Sequence, residues 1–307
     1  MFKMSEYSFT AGLLCVGLAS ASYLLGFVWA RLAHGTSVPA LAGAGVAGGT
    51  VTVPGGTVTV PGSGSSPSGL AVYGSLLGWL GLAFLTASLL SRTIAVGHGP
   101  FANMYEFSVA FAWGVVAIDL AFERHYRQRV FGLVAMPVAL GLLLYATTIP
   151  ATAEPLVPAL QNNLLLTVHV AVAIVAYGTF AVAFAAAILY LIQPAGGRPG
   201  LPRPDLLDEI SYRAVVIGFP FLTLAIVLGA VWAEVAWASY WSWDPKETAS
   251  LATWLIYAAY LHARAVRGWR GSPAARLLVL GFAATLFTYF GNLFFGGLHS
   301  YSGLDQP

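Results

Sequence analysis

Eight apolar runs dominate this chain, and each is long enough to cross a bilayer core, which takes about 20 helical residues. They fall at roughly 9–31, 70–91, 105–122, 129–149, 163–193, 214–236, 248–265 and 275–297. Only 8% of residues are charged, against about 25% in a soluble domain. Such a chain cannot cover itself with polar surface. It reads as an all-α, polytopic integral membrane helix bundle with about eight transmembrane helices in a lipid bilayer. The net charge of +2 gives no footing for nucleic acid. The single cysteine, Cys15, excludes an internal disulfide. With no Cys-x-x-Cys pair, the chain is neither a dithiol reductase nor itself a covalent c-type cytochrome. The first run lacks a small-residue cleavage site after a short apolar core, so 1–31 reads as a retained span.

An even number of spans puts both termini on one side, and basic residues choose that side. Arg31, Arg124, Arg127, Arg129, Arg198, Arg203, Arg213, Arg264, Arg267, Arg270 and Arg276 fall on one face of this arrangement. Lys3, Arg92 and Lys246 fall on the other. The positive-inside rule then makes both termini non-cytoplasmic, together with the 92–104 and 150–162 loops. The 32–69 segment becomes a cytoplasmic, low-complexity linker. Its tandem repeat, Thr50-Val-Thr-Val-Pro-Gly-Gly56 and Thr57-Val-Thr-Val-Pro-Gly-Ser63, is compatible with a hairpin, and no chemistry is assigned to it.

Twelve residues, Trp232-Ala-Glu-Val-Ala-Trp-Ala-Ser-Tyr-Trp-Ser-Trp243, hold four of the nine tryptophans. An interfacial aromatic belt accounts for isolated rings such as Trp29, Trp79 and Trp269. It accounts poorly for four in twelve. The following Asp244-Pro245-Lys246-Glu247 reads as a helix start: Asp as N-cap, Pro in the first turn, Glu completing a capping box. On the same face, Asn103 and Glu106 read as a second cap pair.

The run Gly229 to Thr248 resembles the tryptophan-rich WWD signature of haem-handling proteins, and most closely the CcsA (ResC) family of cytochrome c biogenesis. Gly97-His-Gly-Pro-Phe-Ala-Asn-Met-Tyr-Glu106, Leu156-Val-Pro-Ala-Leu-Gln161, Leu261-His-Ala-Arg264 and Gly297-Leu-His-Ser-Tyr301 carry the same resemblance. It covers residues 70–301, with the WWD segment at 232–248. The chain departs from the pattern at Ala238 and Ala249, where Gly and Trp are expected.

Six histidines are present. His34 and His125 lie among arginines and read as interfacial. His169 and His299 are far apart in sequence yet at one membrane depth, flanking the Trp segment. Two imidazoles can fill both axial positions of a haem iron; packed histidines bonded to backbone are the alternative. The paired Gly296-Gly297 would let a macrocycle approach the backbone. His262 sits near the opposite end of its helix, with Ala258 and Ala259 leaving a shallow surface one turn before it. Helix packing is an equal reading there. His98, in a Gly-His-Gly-Pro turn, reads as a helper and not a ligand.

The resemblance implies more. It makes His169 and His299 the axial ligands of an outer haem, and His262 one ligand of an inner haem whose second ligand comes from a CcsB (ResB) type partner. Trp232, Trp237, Trp241 and Trp243 would cover the ring, and Lys246 or Arg92 would pair with a propionate. Haem b is then both cargo and axially ligated group. The implied activity is that of a cytochrome c haem lyase (holocytochrome c synthetase), working with that partner. It moves haem to the outer face, where the two thiols of an apocytochrome c Cys-x-x-Cys-His segment add across the vinyl groups. Catalysis would be by positioning. Asp244 is the one polar candidate for a catalytic helper, and its capping role suffices to explain it. The implied location is a bacterial plasma membrane or a thylakoid-like one. The alternative function is a CcmC-like haem presenter without bond formation. A b-type redox subunit would place two ligands per haem on adjacent helices of one chain. An ion-coupled transporter would want mid-membrane acids, whereas Asp119 and Glu123 lie near a helix end.

Overall fold

The structure, a computed structural model, describes residues 1–35, 49–53, 56–60, 69–152, 163–194, 196–198, 200–291 and 294–299. Eight α-helices appear among them: α1 (Phe2–Gly35), α2 (Gly69–Val96), α3 (Met104–Tyr126), α4 (Gly132–Ala146), α5 (Asn163–Leu191), α6 (Pro204–Trp237), α7 (Pro245–Arg267) and α8 (Ser272–Phe290). A 3-10 turn at Arg129–Phe131 leads into α4. Each expected run is a helix. Seven are long and apolar enough to cross a membrane, and the chain is an integral membrane protein. The exception is α7, which carries Lys246 and Glu247 in its first turn and Arg264 and Arg267 in its last. The expectation of eight spans therefore holds for seven.

Two boundaries differ from the sequence reading. α6 begins ten residues early, at Pro204, where a proline fits the first turn. α8 stops at Phe290, so His299 lies on a separate turn beyond the helix. Within the linker, Gly49–Val53 and Gly56–Val60 form an antiparallel pair in which Thr50 faces Thr59. This is the hairpin that the repeat allowed.

α5 is the centre of the bundle. Its middle, through Phe180, Val182, Ala185 and Leu189, is fully buried. Small side chains on this stretch let neighbours approach closely. Phe180 stacks on Tyr257 of α7 with centroids 3.7 Å apart, and Phe184 on Phe282 of α8 at 4.5 Å. α1 packs along α2 and joins the same core through Val16, Ala19 and Tyr23. Ser5 and Ser88 exchange hydroxyl-to-carbonyl bonds of 3.1 and 2.9 Å across that pair.

Polar clamps fix both ends. At one end Arg264 grips Asp208 with two bonds of 3.0 and 2.7 Å, and Asp208 also accepts from the Gly271 amide at 3.0 Å. This ties the start of α6 to the end of α7 and the start of α8. At the other end the buried Arg92 bonds Glu106 at 2.8 Å and the carbonyls of Ala151 and Thr152. The alternating helices bring the starts of α1, α3, α5 and α7 to this second end, with the ends of α2, α4, α6 and α8. The eleven arginines grouped by the sequence reading gather at the first.

Candidate functional site

A cavity with about 910 Å³ of empty space opens at the end of the bundle where α3, α5 and α7 begin. α3 contributes Met104, Phe107 and Phe111; α5 contributes His169 and Tyr177; α6 contributes Gly229 and Trp232. Tyr240, Trp241, Lys246, Glu247, Tyr289 and His299 complete much of the wall. His169 and His299 thus share one cavity.

Each histidine is oriented by a different acceptor. His169, in the second turn of α5, places Nδ1 2.8 Å from the Ala225 carbonyl of α6. A carbonyl can only accept, so Nδ1 carries the hydrogen and Nε2 the lone pair. Gly229, one turn further along α6, makes room: a Cβ there would stand 2.8 Å from His169 Cε1. His299 places Nδ1 2.8 Å from Asp244 Oδ1. That carboxylate accepts from Nδ1 and fixes the same tautomer.

Asp244 joins the cap to the site. It caps α7 by accepting from the Lys246 amide at 2.9 Å, and Glu247 returns the bond to the Asp244 amide at 3.2 Å. The expected capping box therefore forms. Burial works against the Asp244 charge, but the His299 bond, the His299 charge and the Lys246 and Leu298 amides outweigh it and hold the carboxyl at about 2. Burial lowers the basicity of His299, which the Asp244 bond only partly restores. The imidazole is then neutral at neutral pH, as a metal ligand must be. Gly297 is the glycine that matters here, because a Cβ at that position would collide with the Asp244 carboxylate. Gly296 has open space around it. Gly297 thus seats the turn that carries His299 against Asp244.

The tryptophans divide. Trp232 is buried, and its ring lies 4.7 Å edge-on from Trp237. Trp237 in turn stands 4.9 Å edge-on to His299, backing the imidazole from outside the cavity lining. Trp241 lines the cavity with Trp243 edge-on at 5.8 Å, and Trp243 is 68% exposed. Lys246 lies on the cavity wall with Nζ 5.6 Å from the Phe107 ring centre. No carboxylate among the described residues forms an ion pair with it.

Three candidates lie elsewhere. Arg92 is spent on Glu106 and two carbonyls and does not line the cavity. His98 bonds the carbonyl of Gly99 at 2.8 Å. His262 is exposed on the outer surface of α7, beside Leu255, Ala259 and Val266. Among the departures, Ala238 is the residue after α6 and holds φ +56°. That left-handed position favours glycine, so the expected Gly has a backbone reason. Ala249 is buried on α7.

Sequence reasoning missed Gly229, Tyr240, Tyr177, Tyr289 and the α3 wall. Met104, Phe107 and Phe111 sit at helical spacing, which was legible as one face but not as a cavity wall.

Comparison with known proteins gives the family. Residues 101–299 match the family described as cytochrome C assembly protein. The cytochrome c biogenesis protein CcsA of Gloeothece citriformis (strain PCC 7424) is 39% identical, the match covering 75% of this chain and 88% of the relative. The CcsA of Microcystis aeruginosa (strain NIES-843 / IAM M-2473) is also 39% identical, over 71% and 83%. The fold is similar to a solved cytochrome c heme lyase, CcmF, with TM-score 0.60 and 21% identity. That match covers 92% of this chain but only 46% of CcmF. The chain belongs to the CcsA family of cytochrome c assembly proteins.

Proposed function

We propose that this protein is the membrane half of a cytochrome c synthetase, and that the cavity between His169 and His299 holds haem b for attachment. One observation carries the reading: two imidazoles from distant segments line a single aromatic cavity, each oriented through its Nδ1 by an acceptor on the protein. The residues present fit the group. Trp232 and Trp241 offer ring faces and edges, and the α3 aromatics supply apolar contact. Lys246 is the cation on the wall, so the propionate role falls to it. Arg92, fully engaged by protein, serves the fold. Trp237 acts on the haem through His299, and Trp243 guards the rim.

The protein's work is positioning. His169 and His299 would hold the iron, and the Tyr240–Trp243 segment would be the rim at which the vinyl groups are presented. A Cys-x-x-Cys-His segment of apocytochrome c docks there. Each thiol adds across one vinyl group: the sulfur takes one carbon, the hydrogen the other, and a thioether results. Bound haem supplies the vinyl groups and an iron whose redox state its ligands tune. Asp244 serves as orienter of His299 and not as a base toward the thiols.

His262 would hold a second haem nearer the arginine-rich end. Its ring faces out of the bundle, with no other described histidine beside it on that surface. A second ligand from a CcsB (ResB) type partner suits that exposure. The arginine-rich end is then cytoplasmic, and the cavity opens on the outer face of a bacterial plasma or thylakoid-like membrane.

The test is purification with the partner, followed by absorption and pyridine haemochrome spectra. His169→Ala and His299→Ala should each lose the outer haem spectrum and cytochrome c maturation. His262→Ala should lose co-purifying haem and regain part of it with imidazole. Normal maturation in both outer-site variants would refute the site. Haem bound and presented without thioether formation in a reconstituted system would favour a CcmC-like presenter.

A further inference from the structure

A second cavity, about 850 Å³ of empty space, lies at the opposite end of the bundle between the first turns of α2 and the end of α3. It is lined by Val72, Leu76, Trp79 and Leu120 on its apolar side. Arg124, Arg127 and Arg129 face them, with Glu123 and Ser75 in the floor. Glu123 is fully occupied: it accepts from Tyr23 at 2.8 Å and from Ser75, and pairs with Arg129 at 3.3 Å. Arg124 and Arg127 form no ion pair among the described residues. Three arginines against one glutamate leave two positive charges in excess. Nor can the 36–68 segment that precedes α2 neutralise them, because it contains no acidic residue. Arg127, at φ +54°, is the left-handed residue that ends α3, so the three arginines straddle the turn between α3 and α4.

The apolar wall faces outward. Leu76 is 59% exposed and Trp79 48%, so both meet the lipid environment where α2 enters the membrane. Uncompensated guanidiniums at a helix end, beside an outward apolar groove, match an anion that carries a hydrocarbon chain. Haem also has anionic groups and an apolar body. However, the lining offers no histidine, cysteine or methionine to iron, and the pocket lies on α2 and α3, away from His262 on α7.

The geometry points to a binding site for an anionic phospholipid, its phosphate held by Arg124, Arg127 and Arg129 and an acyl chain laid along Leu76 and Trp79. The lipid would tie α2 to α3 on the side remote from the haem cavity.

The experiment uses the full chain in nanodiscs and in detergent. Native mass spectrometry would count retained lipid after exchange into phosphatidylcholine with and without phosphatidylglycerol. The variant is Arg124→Gln with Arg127→Asn; asparagine tolerates the left-handed backbone, and neither residue touches the haem cavity. Wild type should retain phosphatidylglycerol over phosphatidylcholine. The double variant should lose that preference by roughly thirtyfold, about fivefold per guanidinium, with the haem spectrum unchanged. Inorganic phosphate should not displace the lipid, since it lacks the chain. Equal retention of both lipids, a preference unchanged in the variant, displacement by phosphate alone, or haem bound in the lipid's place would overturn the assignment.

Discussion

Asp244 shows how one side chain can serve two levels of structure. Its Oδ1 accepts from the Lys246 amide and from His299 Nδ1, both within 2.9 Å. A carboxylate behind an iron-ligating imidazole raises the ligand's basicity and stabilises ferric iron. His169 has only a neutral carbonyl behind it, so as the proposed ligands the two would be unequal donors. Asp244→Asn separates the roles, because asparagine is as good an N-cap as aspartate. Helix content should be unchanged, while haem retention falls by about 10-fold to 100-fold. The potential of the remaining haem should shift positive in a spectroelectrochemical titration. An unchanged potential would reduce Asp244 to a cap.

At the scale of elements, the site depends on how closely helices approach and how they end. α5 meets α6 at His169 only because Gly229 has no side chain. Gly229→Ala adds a methyl that the imidazole must yield to. Purified protein should then show a weakened, shifted haem absorption band while keeping its helical circular dichroism. α6 ends on Ala238 in the left-handed region. There an alanine costs about 1 kcal/mol relative to glycine. Ala238→Gly should therefore raise stability by about 1 kcal/mol, read as a higher midpoint in thermal or denaturant unfolding, with haem binding intact. A lower midpoint would mean that the turn uses the alanine methyl. α8 adds the third condition. By stopping at Phe290 it frees the following turn to fold back over the start of α7, where Asp244 waits.

At the scale of the molecule, charge and chemistry are segregated. Arginines crowd the end with the Arg264–Asp208 clamp, and the cavity proposed for haem sits at the end with Lys246 and the buried Arg92–Glu106 pair. On the proposed reading, the positive-inside rule would orient such a bundle with the cavity outward. Cys15 is buried, so background labelling is low. Tyr240→Cys, at a 60% exposed position, should react with a membrane-impermeant maleimide in intact spheroplasts. Arg270→Cys should react only after lysis, and the reverse pattern would invert the topology.

The amino-acid order settled what depended on local spacing. Apolar runs separated by basic turns dictated helices, because a backbone in lipid must bond to itself. Asp244, Pro245 and Glu247 announced the start of α7, because a cap is completed within four residues. The same order marked His169, His299 and the tryptophans by type and matched depth. It could not say what backs each imidazole. Ala225, Asp244 and Gly229 meet their histidines across 55 residues or more of chain, and no period in a sequence encodes such an approach. It offered Arg92 and Lys246 as equivalent cations for the same reason. Only the packed bundle distinguished them, enclosing one among carbonyls and a glutamate and leaving the other on the cavity wall. Long-range contacts are set by which faces exclude lipid together, and that is a property of the assembled helices.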